Sequence, residues 1–154
     1  NMVDRLDKDT IENYYSKGYL HIRSTVTIIG RPKEHIEDTL SKYLEKLFED
    51  NSIVSVQVDL FEAKESETND GFYECFAEFE ALFETLDKVT QFVMNYLPGT
   101  IEFIYPQKLE FSNLDVNTMF TNLLLKFHQV DRALKVQILE NKKLKKEANI
   151  EEQN

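Results

Sequence analysis

Between residues 19 and 105, apolar positions recur with a period of two in some stretches and three to four in others. This change of period predicts strands that alternate with helices. The strands are predicted at 19–29, 53–62, 73–83 and 100–105. A helix is predicted after Pro32, with an apolar stripe that begins at Ile36. A second is predicted between Thr85, a residue type that caps helices, and Pro98-Gly99, which ends them.

The third strand alternates most clearly. Every second residue from Tyr73 to Phe83 is apolar or aromatic, whereas the intervening positions carry Glu74, Glu78 and Glu80. A sheet covered on both faces would be apolar throughout, so this pattern indicates a single covered face. The order of elements is that of the split βαβ plan. We therefore predict the α+β class: a ferredoxin-like βαββαβ sandwich, with a four-stranded antiparallel sheet, two helices on one face and a long C-terminal helix.

Three segments follow from these boundaries. They are a polar N-terminal lead-in at 1–18 with one short helix, the ferredoxin-like α+β domain at 19–110, and the C-terminal helix at 111–154. The chain has 154 residues, which fits one domain with an extension.

The C-terminal helix carries a heptad pattern. Steps of four and three residues from Val116 meet a large apolar residue at seven of ten positions, and Asn141 falls at an a position. A buried Asn at a finds its partner in the equivalent Asn of a parallel dimer. We predict a coiled-coil homodimer, whose interface residues are Phe127, Val130, Leu134, Asn141 and Leu144. The alternative is that 114–134 packs on its own domain and the Lys-rich end is solvated.

Charge narrows the range of partners. The chain has 28 acidic residues against 18 Lys and Arg, a net charge of −10, which argues against nucleic acid. Residues 59–84 alone contain nine acids and one Lys. Glu74, Glu78 and Glu80 therefore form a candidate acidic face for a basic protein partner, although a solvated face that discourages edge pairing is the simpler interpretation.

Catalytic and metal-binding signals are weak. The three histidines, at 21, 35 and 128, lie on different predicted elements, and none has a His or Cys neighbour at metal-ligand spacing. Cys75 falls on the apolar side of its strand and is predicted to be a core residue. We predict no enzymatic activity, no cofactor and no metal. The lone cysteine, the absence of an apolar leader and the short apolar runs predict a cytoplasmic protein that does not enter a membrane.

The turn Gly30-Arg31-Pro32 resembles the turn between the first strand and first helix of amino-acid-sensing ACT domains. The resemblance covers this one turn, and Lys33 stands where those domains carry a glycine. It implies a small metabolite bound near Arg31 at a dimer interface. Two hypotheses result: a non-enzymatic interaction or regulatory module that homodimerises through its C-terminal helix, and an ACT-like metabolite-sensing domain.

Overall fold

The fold was analysed in a computed structural model that describes residues 4–153. Its elements are α1 (Lys8–Ser16), β1 (Leu20–Gly30), α2 (Lys33–Glu49), β2 (Val54–Glu65), β3 (Tyr73–Phe83), α3 (Leu86–Tyr96), β4 (Thr100–Tyr105) and α4 (Asn113–Gln153). The chain divides into two compact units, a sheet-containing unit that ends at Ser112 and a helical unit that begins at Asn113.

The four strands form one antiparallel sheet in the order β2-β3-β1-β4. The two connections that contain α2 and α3 each skip one strand, which is the split βαβ arrangement. The predicted ferredoxin-like α+β sandwich with a long C-terminal helix is therefore confirmed.

One face of the sheet, here called the helix face, packs against α2 and α3. The apolar stripe of α2 meets the inward-facing residues of β1 and β3 in one continuous core. The largest fully buried side chains include Phe79, Phe83, Ile22, Ile36 and Leu44. Burial of such side chains contributes roughly 1.5–3 kcal/mol each, so this layer supplies most of the apolar stabilisation of the unit.

The opposite face, here called the second face, is covered at one end by α1. Ile11 of α1 is buried with Val56 and Leu82, and Leu6 donates a backbone hydrogen bond of 3.0 Å to the Val56 carbonyl. Asp7 caps α1 by accepting from the Thr10 amide at 2.8 Å. The expectation that only one face is covered is therefore wrong at this end, because the short helix brings apolar side chains of its own.

Two irregularities in β2 place its alternating valines, Val54, Val56 and Val58, on different faces, whereas a regular strand would keep them on one face. Its pairing with β3 shifts register between Ser55 and Gln57 and again between Phe61 and Lys64. Each β-bulge inserts residues and changes the face on which later side chains lie. Val56 consequently packs in the second-face cluster, whereas Val58 belongs to the main core.

The helical unit consists of α4 alone. It is 41 residues long and buries none of its residues. No helix within residues 4–153 has the length and apolarity needed to cross a membrane.

Candidate functional site

The predicted interface residues lie along α4 at the expected heptad spacing. Phe127, Val130, Leu134 and Leu144 are each more than half exposed, and Asn141 is exposed as well. Asp131 and Lys135 form an i,i+4 ion pair of 2.8 Å beside this row. The helix thus carries a row of apolar side chains, here called the α4 seam, with a single amide in its last third.

The three acids of the predicted partner face lie on the second face of the sheet, and each has a cationic neighbour. Glu78 lies 3.6 Å from Arg23, and Glu74 lies 3.9 Å from Lys64. Glu80 contacts Arg5 at 2.8 Å. The negative charge of this face is therefore partly neutralised from within the chain.

Glu80 belongs to a polar cluster beneath α1, here called the His21 cluster. The hydroxyl of Tyr15 lies 2.5 Å from Nδ1 of His21, whose side chain reaches Glu80 through Nε2 at 3.0 Å. The two atoms are close, but the ring N–H does not point at the carboxylate oxygen. The contact is therefore electrostatic and lacks the geometry of a good hydrogen bond. The other carboxylate oxygen of Glu80 accepts from Arg5, which also donates to Gln57 at 2.6 Å.

Burial dominates the electrostatics of this cluster. His21 is 2% exposed, and desolvation lowers its pKa below 6.5, partly offset by the carboxylate of Glu80. Burial, with the negative charge of Glu80 adding to it, raises the pKa of Tyr15. A neutral His21 with its proton on Nε2 fits these neighbours, because Nδ1 then accepts from the Tyr15 hydroxyl and the Nε2–H lies close to the negative charge of Glu80.

The ring of Tyr15 also stacks on Tyr105 of β4, with centroids 3.7 Å apart and planes 11° apart. One face of α1 is thereby tied to β1, β3 and β4 together.

Sequence reasoning missed the His21 cluster, because its members come from four separate segments and no motif connects them. The only available signal was that His21 precedes apolar Ile22 within a strand.

The model of the MJ0538 family matches residues 21–152, which is most of the chain. The chain belongs to the MJ0538 family. In this member, the matched region contains β2 to β4, α2 to α4 and nearly all of β1, whereas α1 lies before it. Comparisons with curated proteins and with solved structures found no match. Membership of the MJ0538 family does not by itself assign an activity.

In this MJ0538 family member, Gly30 and Arg31 of the Gly30-Arg31-Pro32 turn contact neighbouring residues of the same chain. A Cβ on Gly30 would lie 2.9 Å from Cγ2 of Ile36, so a glycine is needed for the close approach of α2. The guanidinium of Arg31 lies over the ring of Phe72, 4.8 Å from its centroid. These contacts account for the turn residues without a ligand.

The single cysteine and the potential metal-ligating side chains form no further candidate site among the described residues. Cys75 is buried on the helix face, as predicted, and burial raises the pKa of its thiol. Its Sγ lies 3.5 Å from the carbonyl oxygen of Ile36. Among residues 4–153, no group of three or more His, Cys, Asp and Glu side chains is placed to hold a metal ion.

Proposed function

We propose that this chain is a non-enzymatic interaction module that homodimerises through α4 and presents its acidic sheet face to a basic protein partner. One observation carries the first part of the proposal. A helix of 41 residues buries none of them and yet carries large apolar side chains at heptad spacing.

The length of α4 supports a second chain as its cover. At 1.5 Å per residue a helix of 41 residues is roughly 60 Å long, whereas a small domain is about 30 Å across. A single small domain therefore lacks the extent to cover the whole length of the helix. A second copy of the helix matches it in length and in heptad register.

The apolar free energy available along the seam is similar in size to the cost of association. Five large apolar seam residues are more than half exposed: Phe120, Phe127, Val130, Leu134 and Leu144. Covering the remaining half of each contributes about 1 kcal/mol, or roughly 10 kcal/mol for the ten side chains of a dimer. Association costs roughly 4–15 kcal/mol. We therefore expect a dimer that dissociates on dilution.

Asn141 supports a parallel arrangement. At an a position, its amide pairs with the same amide only when the two helices run in the same direction and in register. In this register Lys145 falls at an e position and Glu140 at the preceding g position, so the two side chains can pair across a parallel dimer, whereas Lys142, Lys143 and Lys146 fall at b, c and f positions on the solvent side.

Sedimentation equilibrium over a range of protein concentrations tests this proposal. We expect the wild-type chain to move from 18.1 kDa towards twice that mass as concentration rises. Leu134→Glu should remain monomeric, because it places a charge in the seam. The matched control is Val136→Glu, whose parent residue is 51% exposed against 53% for Leu134 but lies off the seam.

Two results would contradict the proposal. One is a wild-type chain that stays monomeric at millimolar concentration. The other is an equal loss of the dimer in both variants, which would mean that charge on α4 acts without regard to the heptad register.

A cytoplasmic location belongs to the same proposal. It is supported by the lone thiol of Cys75, which is buried and has no disulfide partner among the described residues.

A further inference from the structure

The second face of the sheet, beyond the end covered by α1, carries an aromatic row. Thr27, Phe76 and Phe61 are paired across β1, β3 and β2 and therefore lie side by side on this face. The two rings are 5.3 Å apart between centroids and tilted by 42°. Phe61 is 52% exposed, which leaves much of its ring in contact with solvent.

Acidic residues lie on both sides of this row. On one side, Asp59 and Glu78 are paired across β2 and β3. On the other side, Glu74 pairs with Lys64. Apolar rings between carboxylates form a surface that attracts a cation with a flat apolar face.

The row lines a cavity of about 480 Å³, here called the Phe61 cavity, which is a size typical of sites for small ligand groups. Its lining consists of Thr27, Phe61, Glu62, Lys64, Glu74 and Phe76. Two carboxylates and two aromatic rings thus surround one volume, together with a single ammonium group.

That ammonium group indicates which ligand the cavity accepts. Nζ of Lys64 lies 3.9 Å from the carboxylate of Glu74, which is too long for a strong hydrogen bond, and the Lys64 side chain is mostly exposed. The chain's own cation therefore remains at the edge of the cavity and leaves the carboxylate of Glu74 with spare capacity to accept hydrogen bonds.

We propose that the Phe61 cavity binds an arginine side chain of the basic protein partner. A planar guanidinium stacks on an aromatic ring and donates two parallel hydrogen bonds to a carboxylate, a combination that an ammonium lacks. Phe61 provides the stacking surface and Glu74 the acceptor, while Lys64 competes for the same carboxylate. This assignment rests on the partner-binding half of the proposed function and is independent of dimerisation through α4.

The test is an NMR titration of the full chain with the peptide acetyl-Ala-Arg-Ala-amide, read from amide shifts in β2 and β3. The matched ligand control is the same peptide with citrulline, which has the shape of arginine without its charge. We expect binding of the arginine peptide and at least tenfold weaker binding of the citrulline peptide. Equal binding of both peptides would overturn the proposal.

Three variants locate the site. Phe61→Leu should weaken binding about fivefold, since cation–π stacking contributes roughly 1 kcal/mol at such sites. Glu74→Gln should weaken it by a similar factor. Lys64→Gln should strengthen it about threefold, because the internal competitor is removed.

The control variant is Glu110→Gln, whose carboxylate also has a Lys neighbour, at 3.8 Å, but lies elsewhere. We expect it to leave the affinity unchanged. A loss equal to that of Glu74→Gln would mean that peptide binding reflects overall charge, and the proposal would then fail. Because Lys64 is exposed, its variant remains informative even if Phe61→Leu does not fold.

A titration with free argininamide tests whether the guanidinium that binds belongs to a protein partner or to a small molecule. We expect it to bind more weakly than the peptide, because a partner protein adds contacts along the strands. Equal or tighter binding would identify a small-molecule site and overturn the assignment to a protein partner. Repeating the peptide titration on Leu134→Glu separates the two proposals, since loss of the dimer should leave this binding intact.

Discussion

Acid should weaken the attachment of α1 to the sheet, because His21 must remain neutral to hold it. His21 is 2% exposed, and its Nδ1 accepts from the hydroxyl of Tyr15, 2.5 Å away. A protonated imidazole has two donors and no acceptor, so Nδ1 could no longer accept from the Tyr15 hydroxyl and would have to donate to its oxygen instead. Protonation also places a positive charge near Arg5 and Arg23, both of which lower the pKa of His21.

The direction of the effect follows from linkage. Burial lowers the folded-state pKa of His21 below the ordinary value of 6.5, although Glu80 opposes the shift. Between the folded and unfolded pKa values, the unfolded chain binds a proton that the native chain does not. The free energy of unfolding therefore rises with pH through this window, and the contribution of neutral His21 is lost as pH falls below 6.5.

The titration of one histidine limits how strongly the free energy of unfolding can depend on pH through His21. A difference of one bound proton changes the free energy of unfolding by at most about 1.4 kcal/mol per pH unit. Carboxylates add their own pH dependence, so the informative quantity is the difference between wild type and His21→Gln. Glutamine does not titrate and can still accept from Tyr15. We expect this difference to change by up to about 1 kcal/mol between pH 6.5 and pH 5.5.

Urea unfolding at several pH values, followed by circular dichroism, measures the difference. His35→Gln is the control for a histidine substitution as such, because His35 is exposed on α2 and lies outside the His21 cluster. The hydrogen-exchange protection factors of the α1 amides should fall at low pH in wild type before those of the sheet amides. Identical pH profiles for wild type and His21→Gln would refute the argument that His21 is held neutral by burial.

Two further predictions concern single side chains. Asn141→Leu should tighten association and broaden the distribution of oligomers seen by sedimentation velocity, because it removes the polar a-position residue that selects a parallel dimer. An unchanged species would place Asn141 outside a buried a position. Tyr43→Phe should raise the free energy of unfolding by about 1 kcal/mol, since the Tyr43 hydroxyl is buried without a hydrogen-bond partner among residues 4–153 and burial raises its pKa to about 12. Thermal denaturation measures this change, and a destabilised variant would show that the hydroxyl has a partner in solution.

Sequence patterns predicted the strands and helices well where each boundary had its own chemical signal. Thr85 caps α3 by accepting from the amide of Lys88, and Pro98 and Gly99 follow its end. The strict alternation of β3 correctly placed Cys75 and Phe79 in the core. Such local rules succeed because one residue type decides one local conformation.

The failures occurred where distant segments meet. The bulge beside Val56 has no signature in the residues of β2, and its effect depends on how β2 pairs with β3. The His21 cluster is likewise formed only after α1, β1 and β3 have come together. The function of the α4 seam stays a prediction, because a heptad pattern describes what a helix can bury and does not identify the molecule that covers it.

The three acids grouped by the sequence into one partner face have different roles once their neighbours are considered. Glu80 is only 12% exposed and is held by Arg5 beside His21, so its charge serves the attachment of α1. Glu78 shares Arg23 with Glu102, so one guanidinium offsets part of the charge of two carboxylates. Glu74 lies on the other side of the exposed aromatic row, and within residues 4–153 its ion-pair partner is the distant ammonium of Lys64. A basic partner therefore gains most at the Glu74 end, where a carboxylate with spare hydrogen-bonding capacity and an exposed ring occur together.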